Sequence, residues 1–245
     1  MSHASPLPSD RKTGLVRSGD MPRSLVWLFA LASGLSVANV YYAQPLLDAL
    51  SRDFGISHGA IGGVVTATQI GCALALLFVV PLGDKVDRRG LMALQLVVLV
   101  AALVAVGMAQ TSTMLLAGML ATGMAGTAMT QGLIAYAANA ASPHEQGRVI
   151  GAAQGGVFMG LLVARVVSGG ISDIAGWRGV YLSAAGLMVI IAFPLWWRLP
   201  RLPAVPETMS YPRLIHSMLT LLREEKVLQV RGVLALLMFA AFNIF

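Results

Sequence analysis

Stretches of about 20 residues without a charged side chain recur along this chain, and no other feature limits its fold so strongly. Residues 91–109, LMALQLVVLVAALVAVGMA, are one example. A run of that length crosses the roughly 30 Å hydrocarbon core of a bilayer as an α-helix. No water is present there to satisfy backbone N–H and C=O groups, so only helices and closed barrels can cross. Barrel strands alternate apolar and polar positions over about 10 residues, and these runs do not alternate. An all-α, multi-pass membrane protein is therefore expected. Composition agrees: 57% of residues are hydrophobic and 11% charged, against roughly 25% charged in a soluble domain.

Apolar runs at residues 25–47, 60–82, 91–110, 114–138, 149–171 and 180–197 predict six transmembrane helices within a domain spanning 25–197. Their short polar connections make sequence neighbours antiparallel. Residues 1–24 carry Arg11, Lys12, Arg17 and Arg23 among Ser and Pro and read as a cytoplasmic tail. The run after the tail is too long for the core of a signal peptide, so it stays as the first helix. Residues 198–231 read as a cytoplasmic linker. Within it Leu214, Ile215, Met218, Leu219, Leu222 and Val227 recur at helical spacing among charged residues. That is the pattern of an amphipathic helix, either lying on the membrane surface or exposed as a loop helix. Residues 232–245, GVLALLMFAAFNIF, are too short an apolar run to span and read as an incomplete seventh helix.

Cytoplasmic loops hold the excess of Lys and Arg. With the N-terminus inside, the cytoplasmic side collects the tail, then Lys85, Arg88, Arg89 and Arg148, then Arg198, Arg201, Arg213, Arg223, Lys226 and Arg231. The outside keeps only Arg52 and Arg178. A cytoplasmic N-terminus is expected. The basic residues form no continuous face, which excludes nucleic acid as a partner despite the net charge of +6. No phosphate-binding loop and no His/Asp/Glu set at metal-ligand spacing occurs, so neither an enzyme, a cofactor nor a metal is expected. Cys72, the single cysteine, reads as a small core residue, and His58 and His144 as solvated loop residues.

Gly83, Asp87 and Gly90 after the second span recur as Gly169, Asp173 and Gly176 after the fifth, with the same spacing and an offset of 86 residues. The offset carries the first three spans onto the last three. Three is odd, so the second copy is inverted. Two inverted three-helix repeats are the architecture of secondary transporters, whose pseudo-symmetric units rock about a central site.

The segment PLGDKVDRRG resembles motif A of the major facilitator superfamily, with Gly83, Asp87, Arg88 and Gly90 matching. The two basic positions that usually follow are Leu91 and Met92 here. ANVYYAQPLL and ARVVSGGISDIAGWRGVYL resemble a bacterial inner-membrane subgroup of efflux transporters. The resemblance implies the N-terminal half of a fold with twelve helices in two halves. It implies transport of a small solute across the inner membrane by alternating access, with efflux as the expected direction and protons as the candidate coupling ion. It also implies that Asp87 latches the two halves together on the cytoplasmic side, and that the first and fourth spans line the cavity. The Gly-Pro usual in the fifth span of proton-coupled antiporters is absent. A truncated form of a longer transporter is the leading expectation. The alternatives are a half-transporter subunit, completed by a C-terminal half or a second copy, and a non-transporting scaffold.

Polar side chains inside a span are costly unless they face protein or a water-filled path, so they mark candidate pathway residues. They are Asn39, Tyr42 and Gln44 in the first span, Gln69 in the second, Gln131, Tyr136 and Asn139 in the fourth and Arg165 in the fifth. Asn39 and Tyr42 share a helix face. Tyr41 and Tyr42 fit an interfacial aromatic belt equally well, and Gln69 fits an interhelical hydrogen bond. Arg165 fits either a fixed charge for an anionic substrate group or a side chain reaching to the outer interface.

Overall fold

The computed structural model describes residues 21–57, 59–199 and 210–244. Most of the expected tail, His58 and the first part of the linker lie outside the described residues, as do the side chains of Leu219 and Leu222. The described chain is helical, without strands. Five helical stretches are long and apolar enough to cross a membrane: Arg23–Phe54, Gly62–Gly83, Arg88–Gly107, Ser112–Ala140 and Gln146–Arg198.

The first of these is helix α1, Arg23–Tyr41, followed by a 3-10 turn at Gln44–Leu46 and the short α2, Leu47–Phe54. Pro45 sits where its missing N–H can no longer continue α1. The second is α3, Gly62–Leu74, which widens into a π-helical turn over Ala75–Val79 and tightens into a 3-10 turn over Pro81–Asp84. Next come α4, Arg88–Gly107, and α5, Ser112–Ala140. Helix α4 starts where the Asp87 carboxylate accepts from the Gly90 N–H at 2.7 Å, and α5 where Thr111 accepts from Met114. Both are side-chain caps on otherwise unsatisfied first-turn donors.

The fifth stretch, Gln146–Arg198, has 53 residues and is two helices joined at a kink, together called α6; the connection SDIAGWRG, expected as a loop between spans at 149–171 and 180–197, is helical except at Gly176. A straight helix of that length would measure about 80 Å, far beyond a bilayer. It is broken at Gly176, whose φ of 69° and ψ of 174° are open essentially to glycine alone. The chain folds back there. The first segment runs beside α1, from Glu145 at Met21 to Arg165 at Gln44. The second returns along α4, from Arg178 at the Ala109 carbonyl to Trp196 at Arg89.

Packing is closest where small residues let backbones touch. A Cβ on Gly156 would meet the Ala30 carbonyl, and one on Gly160 the Gly34 carbonyl, at the α1–α6 crossing. At the α3–α5 crossing a Cβ on Gly71 would meet the Leu120 carbonyl, and one on Gly123 the Thr68 carbonyl. Such crossings associate helices in lipid, where burial of apolar surface drives little. On the same helix a Cβ added to Gly151 or to Gly155 would meet nothing within 4 Å.

Phe29, Leu99, Leu103, Met119, Leu133, Tyr136 and Tyr181 fill the bundle interior. Val97, Phe158, Val166, Ile190 and Phe193 stay exposed on its outside. Helices apolar on both faces are what a protein needs when its surroundings are lipid. Beyond the bundle lie α7, Tyr211–Glu224, which is amphipathic, and α8, Lys226–Ile244. The break between them falls at Glu225, so the amphipathic helix is shorter than the sequence pattern predicts. Residues 232–244 of the apolar run accordingly close a helix that begins at Lys226.

Candidate functional site

The expected pathway residues do not converge on one place. Arg165 and Gln44 do meet: the guanidinium Nε and Nη2 donate to Gln44 Oε1 at 3.2 and 3.0 Å. Arg165 lies about 28 Å along α6 from Gln146, close to the end of the bundle where α1 finishes. Tyr41, the last residue of α1, lies within electrostatic reach of both Arg165 and the Cys72 thiol, and that thiol lies beside Thr127 of α5. Gln69 is half-buried one turn before Cys72 on the same face of α3. Arg165, Gln44, Tyr41, Cys72 and Thr127 thus form a polar strip drawn from α1, α3, α5 and α6. This strip can offer a guanidinium, a phenol and a hydroxyl to a solute.

Tyr42 turns away from it. One residue further round α1, it is buried near Tyr181 and lines a different, apolar groove. Asn39 and Tyr136 are also interior residues. Neither the Asn39 amide nitrogen nor the Tyr136 hydroxyl has a hydrogen-bond partner, and Tyr136 packs against Phe29 with ring centroids 6.1 Å apart. Asn139 is exposed and bonds back to the Ala135 carbonyl. Gln131 lines a cavity of about 140 Å³ together with Gly83, Arg88 and Gln95.

That small cavity adjoins the Gly83–Gly90 turn. Asp87 acts as the N-cap of α4, where a carboxylate also faces the positive end of the helix dipole. Gly90 serves this cap, because a Cβ there would press on Asp87 Oδ2 at 3.0 Å. Arg89 reaches the far end of α6, donating to the Trp196 carbonyl at 2.6 Å with its guanidinium 4.4 Å from the Trp196 ring centroid. It therefore caps a helix C-terminus while fixing the turn beside it. At the opposite end, Asp53 accepts from Trp177 Nε1 at 3.0 Å and Arg178 Nη1 at 2.5 Å. Arg178 also donates to the Ala109 carbonyl. This cluster holds the Gly176 reversal against α2 and the α4–α5 connection.

Sequence reasoning missed Thr127, whose one signal is its position a turn before Gln131. It also read Cys72 as a core residue, whereas the side chain is half-buried beside Thr127.

A profile of the Major Facilitator Superfamily matches residues 27–245. The chain is 37% identical over 225 residues to the "Uncharacterized transporter YgaY" of Escherichia coli O157:H7, covering 92% of this chain and 57% of that protein. It is 27% identical to the "Purine ribonucleoside efflux pump NepI" of Escherichia coli O127:H6, over 69% of this chain and 42% of the pump. Among solved structures it resembles a bacterial homolog of the human lysosomal transporter Spinster, crystallised inward-facing and unoccupied. That match has a TM-score of 0.61 at 18% identity, over 80% of this chain and 47% of the other. The chain spans about half the length of the relatives it matches.

Proposed function

Because this chain belongs to the major facilitator superfamily, whose members are transporters rather than enzymes, we propose that it forms one half of a secondary transporter moving a small solute by alternating access. It sits in the bacterial inner membrane with its N-terminus in the cytoplasm, and six spans form two inverted three-helix repeats. The observation that carries this reading is a repeated helix crossing. Gly34 of α1 packs on Gly156 of α6, and Leu120 of α5 packs on Gly71 of α3. The 86-residue offset takes Gly34 to Leu120 and carries Gly71 to within one residue of Gly156. Two crossings related in this way are what a pseudo-two-fold axis between inverted repeats requires.

The polar strip around Arg165 and Gln44 is the substrate-facing wall of this half, and Asp87 with its turn is the cytoplasmic gate. The opposing wall comes from the other half of the fold, on the same or another chain. The likeness to a purine ribonucleoside efflux pump favours export and makes purine ribonucleosides the first solutes to test. Protons are the candidate coupling ion.

The test is an export assay with the complete transporter in a strain lacking its own pump. Asp87→Asn keeps an oxygen to cap α4 and removes the charge, so it is expected to insert normally and lose most export. Arg165→Gln removes the guanidinium donor from the wall and is expected to weaken export. Undiminished export by both variants sinks the proposed gate and wall.

A further inference from the structure

An apolar groove lies on the side of the bundle that Tyr42 faces, away from the polar strip. It has a volume of about 930 Å³, near the upper end of the roughly 300–1,000 Å³ that holds a small ligand. Its floor is the small-residue crossing of Gly34, Gly156 and Gly160. Its walls are apolar, among them Trp27 and Leu31 of α1 and Met159 and Val163 of α6. From Arg23 to Tyr42 it runs about 28 Å, close to the roughly 30 Å depth of a hydrocarbon core.

Its charge lies at one end. Arg23 and Arg148 line the groove where α1 and α6 begin. Arg198, at the end of α6, donates to Ser24 Oγ at 3.3 Å and so joins them. Glu145 pairs with Arg148 and offsets one charge, leaving an excess of two positive charges over an apolar slot. A second copy of the chain or a hydrophobic helix would fill the slot and leave these arginines without an anion. An anionic amphiphile matches both parts, with its phosphate among the arginines and a hydrocarbon chain against Trp27 and Leu31.

The geometry points to a binding site for an anionic phospholipid of the cytoplasmic leaflet, with the headgroup held by Arg23, Arg148 and Arg198 and one acyl chain in the α1–α6 groove. A basic residue at this level strengthens attraction to anionic lipid roughly fivefold. Trp27, 75% exposed in the groove, is a built-in reporter.

The experiment reconstitutes the protein into phosphatidylcholine vesicles carrying equal fractions of either brominated phosphatidylglycerol or brominated phosphatidylcholine. The Trp27 signal is the difference between wild type and Trp27→Phe. Its quenching is expected to be several-fold stronger with the glycerol lipid. That selectivity is expected to fall roughly fivefold in Arg23→Gln, further in Arg23→Gln with Arg198→Gln, and to shrink at high salt. Both arginines are exposed, and circular dichroism checks that the variants fold. Arg148 is left intact because its loss would strand Glu145. Equal quenching by the two lipids, or selectivity that survives in the double variant, overturns the proposal. Quenching by neither lipid places protein in the groove and overturns it as well.

Discussion

Glu145 shows how much one side chain at the membrane edge can hold. It is buried just before α6, accepts the Met21 backbone N–H at 2.9 Å, and pairs with Arg148 and Ser142. The Met21 N–H first, and then Arg148 and Ser142, hold its carboxyl below the usual carboxylate range. A lowered folded-state pKa makes this contribution fully present above the ordinary glutamate range and lost as pH falls through the lowered value. The melting temperature of the purified protein is therefore expected to hold from neutral pH down to that range and then decline. In Glu145→Gln the acid decline should flatten; an unchanged acid limb would show that the tether contributes nothing. The glycines of α6 offer a contrast of sign. Gly156→Val drives a side chain into the Ala30 backbone, which cannot yield, and should cost about 1–3 kcal/mol or more. Gly155→Ala meets nothing and should be neutral or gain up to about 1 kcal/mol from helix propensity. Thermal unfolding in detergent distinguishes the two.

Among the elements, α3 has the least regular course and the clearest consequence. Its π-helical turn over Ala75–Val79 and the missing N–H of Pro81 disturb the ladder that would satisfy the carbonyls there. Tyr211, the first residue of α7, donates its hydroxyl to the Phe78 carbonyl at 2.5 Å. The amphipathic helix is thereby fastened to the second span just ahead of the Gly83–Gly90 turn. Tyr211→Phe should weaken that docking by about 0.5–1.5 kcal/mol. It should appear as faster hydrogen exchange in α7 with α1 unaffected; equal exchange in both proteins would mean that the bond does not hold the helix.

On the scale of the whole molecule, charge distribution and packing argue for one orientation. Arg23, Arg148, Arg198 and the Asp87 turn gather at the end where α1 and the first segment of α6 begin. Asp53, Arg178 and the Gly176 reversal lie at the other. Under the positive-inside rule the first end is expected on the cytoplasmic side, as proposed above. Cysteines placed at Val86 and at Gln110, in a background with Cys72→Ser, are expected to react with an impermeant maleimide from opposite sides of the membrane. Labelling of Gln110→Cys from the cytoplasm, or of both positions from one side, would refute this orientation.

The helical class of the chain, its apolar stretches long enough to cross a membrane and its family were legible in residue order, because hydrophobicity over about 20 residues is a local property that needs no partner. The Asp87 cap on α4 is local in the same way, since its partner Gly90 is three residues away. Pathway residues were less so. Tyr41 and Tyr42 are chemically alike and adjacent, and only the placement of α3 and α6 sends one toward Arg165 and Cys72 and the other toward Tyr181. Arg165 could equally have reached for solvent until Gln44, 121 residues away in sequence, was brought beside it. Residue order thus determined that the chain enters a membrane as helices and where its charges remain outside. The tertiary structure decided which polar groups meet, because a contact between distant residues depends on how helices rotate and cross, and hydrophobicity alike on every face leaves that rotation unspecified.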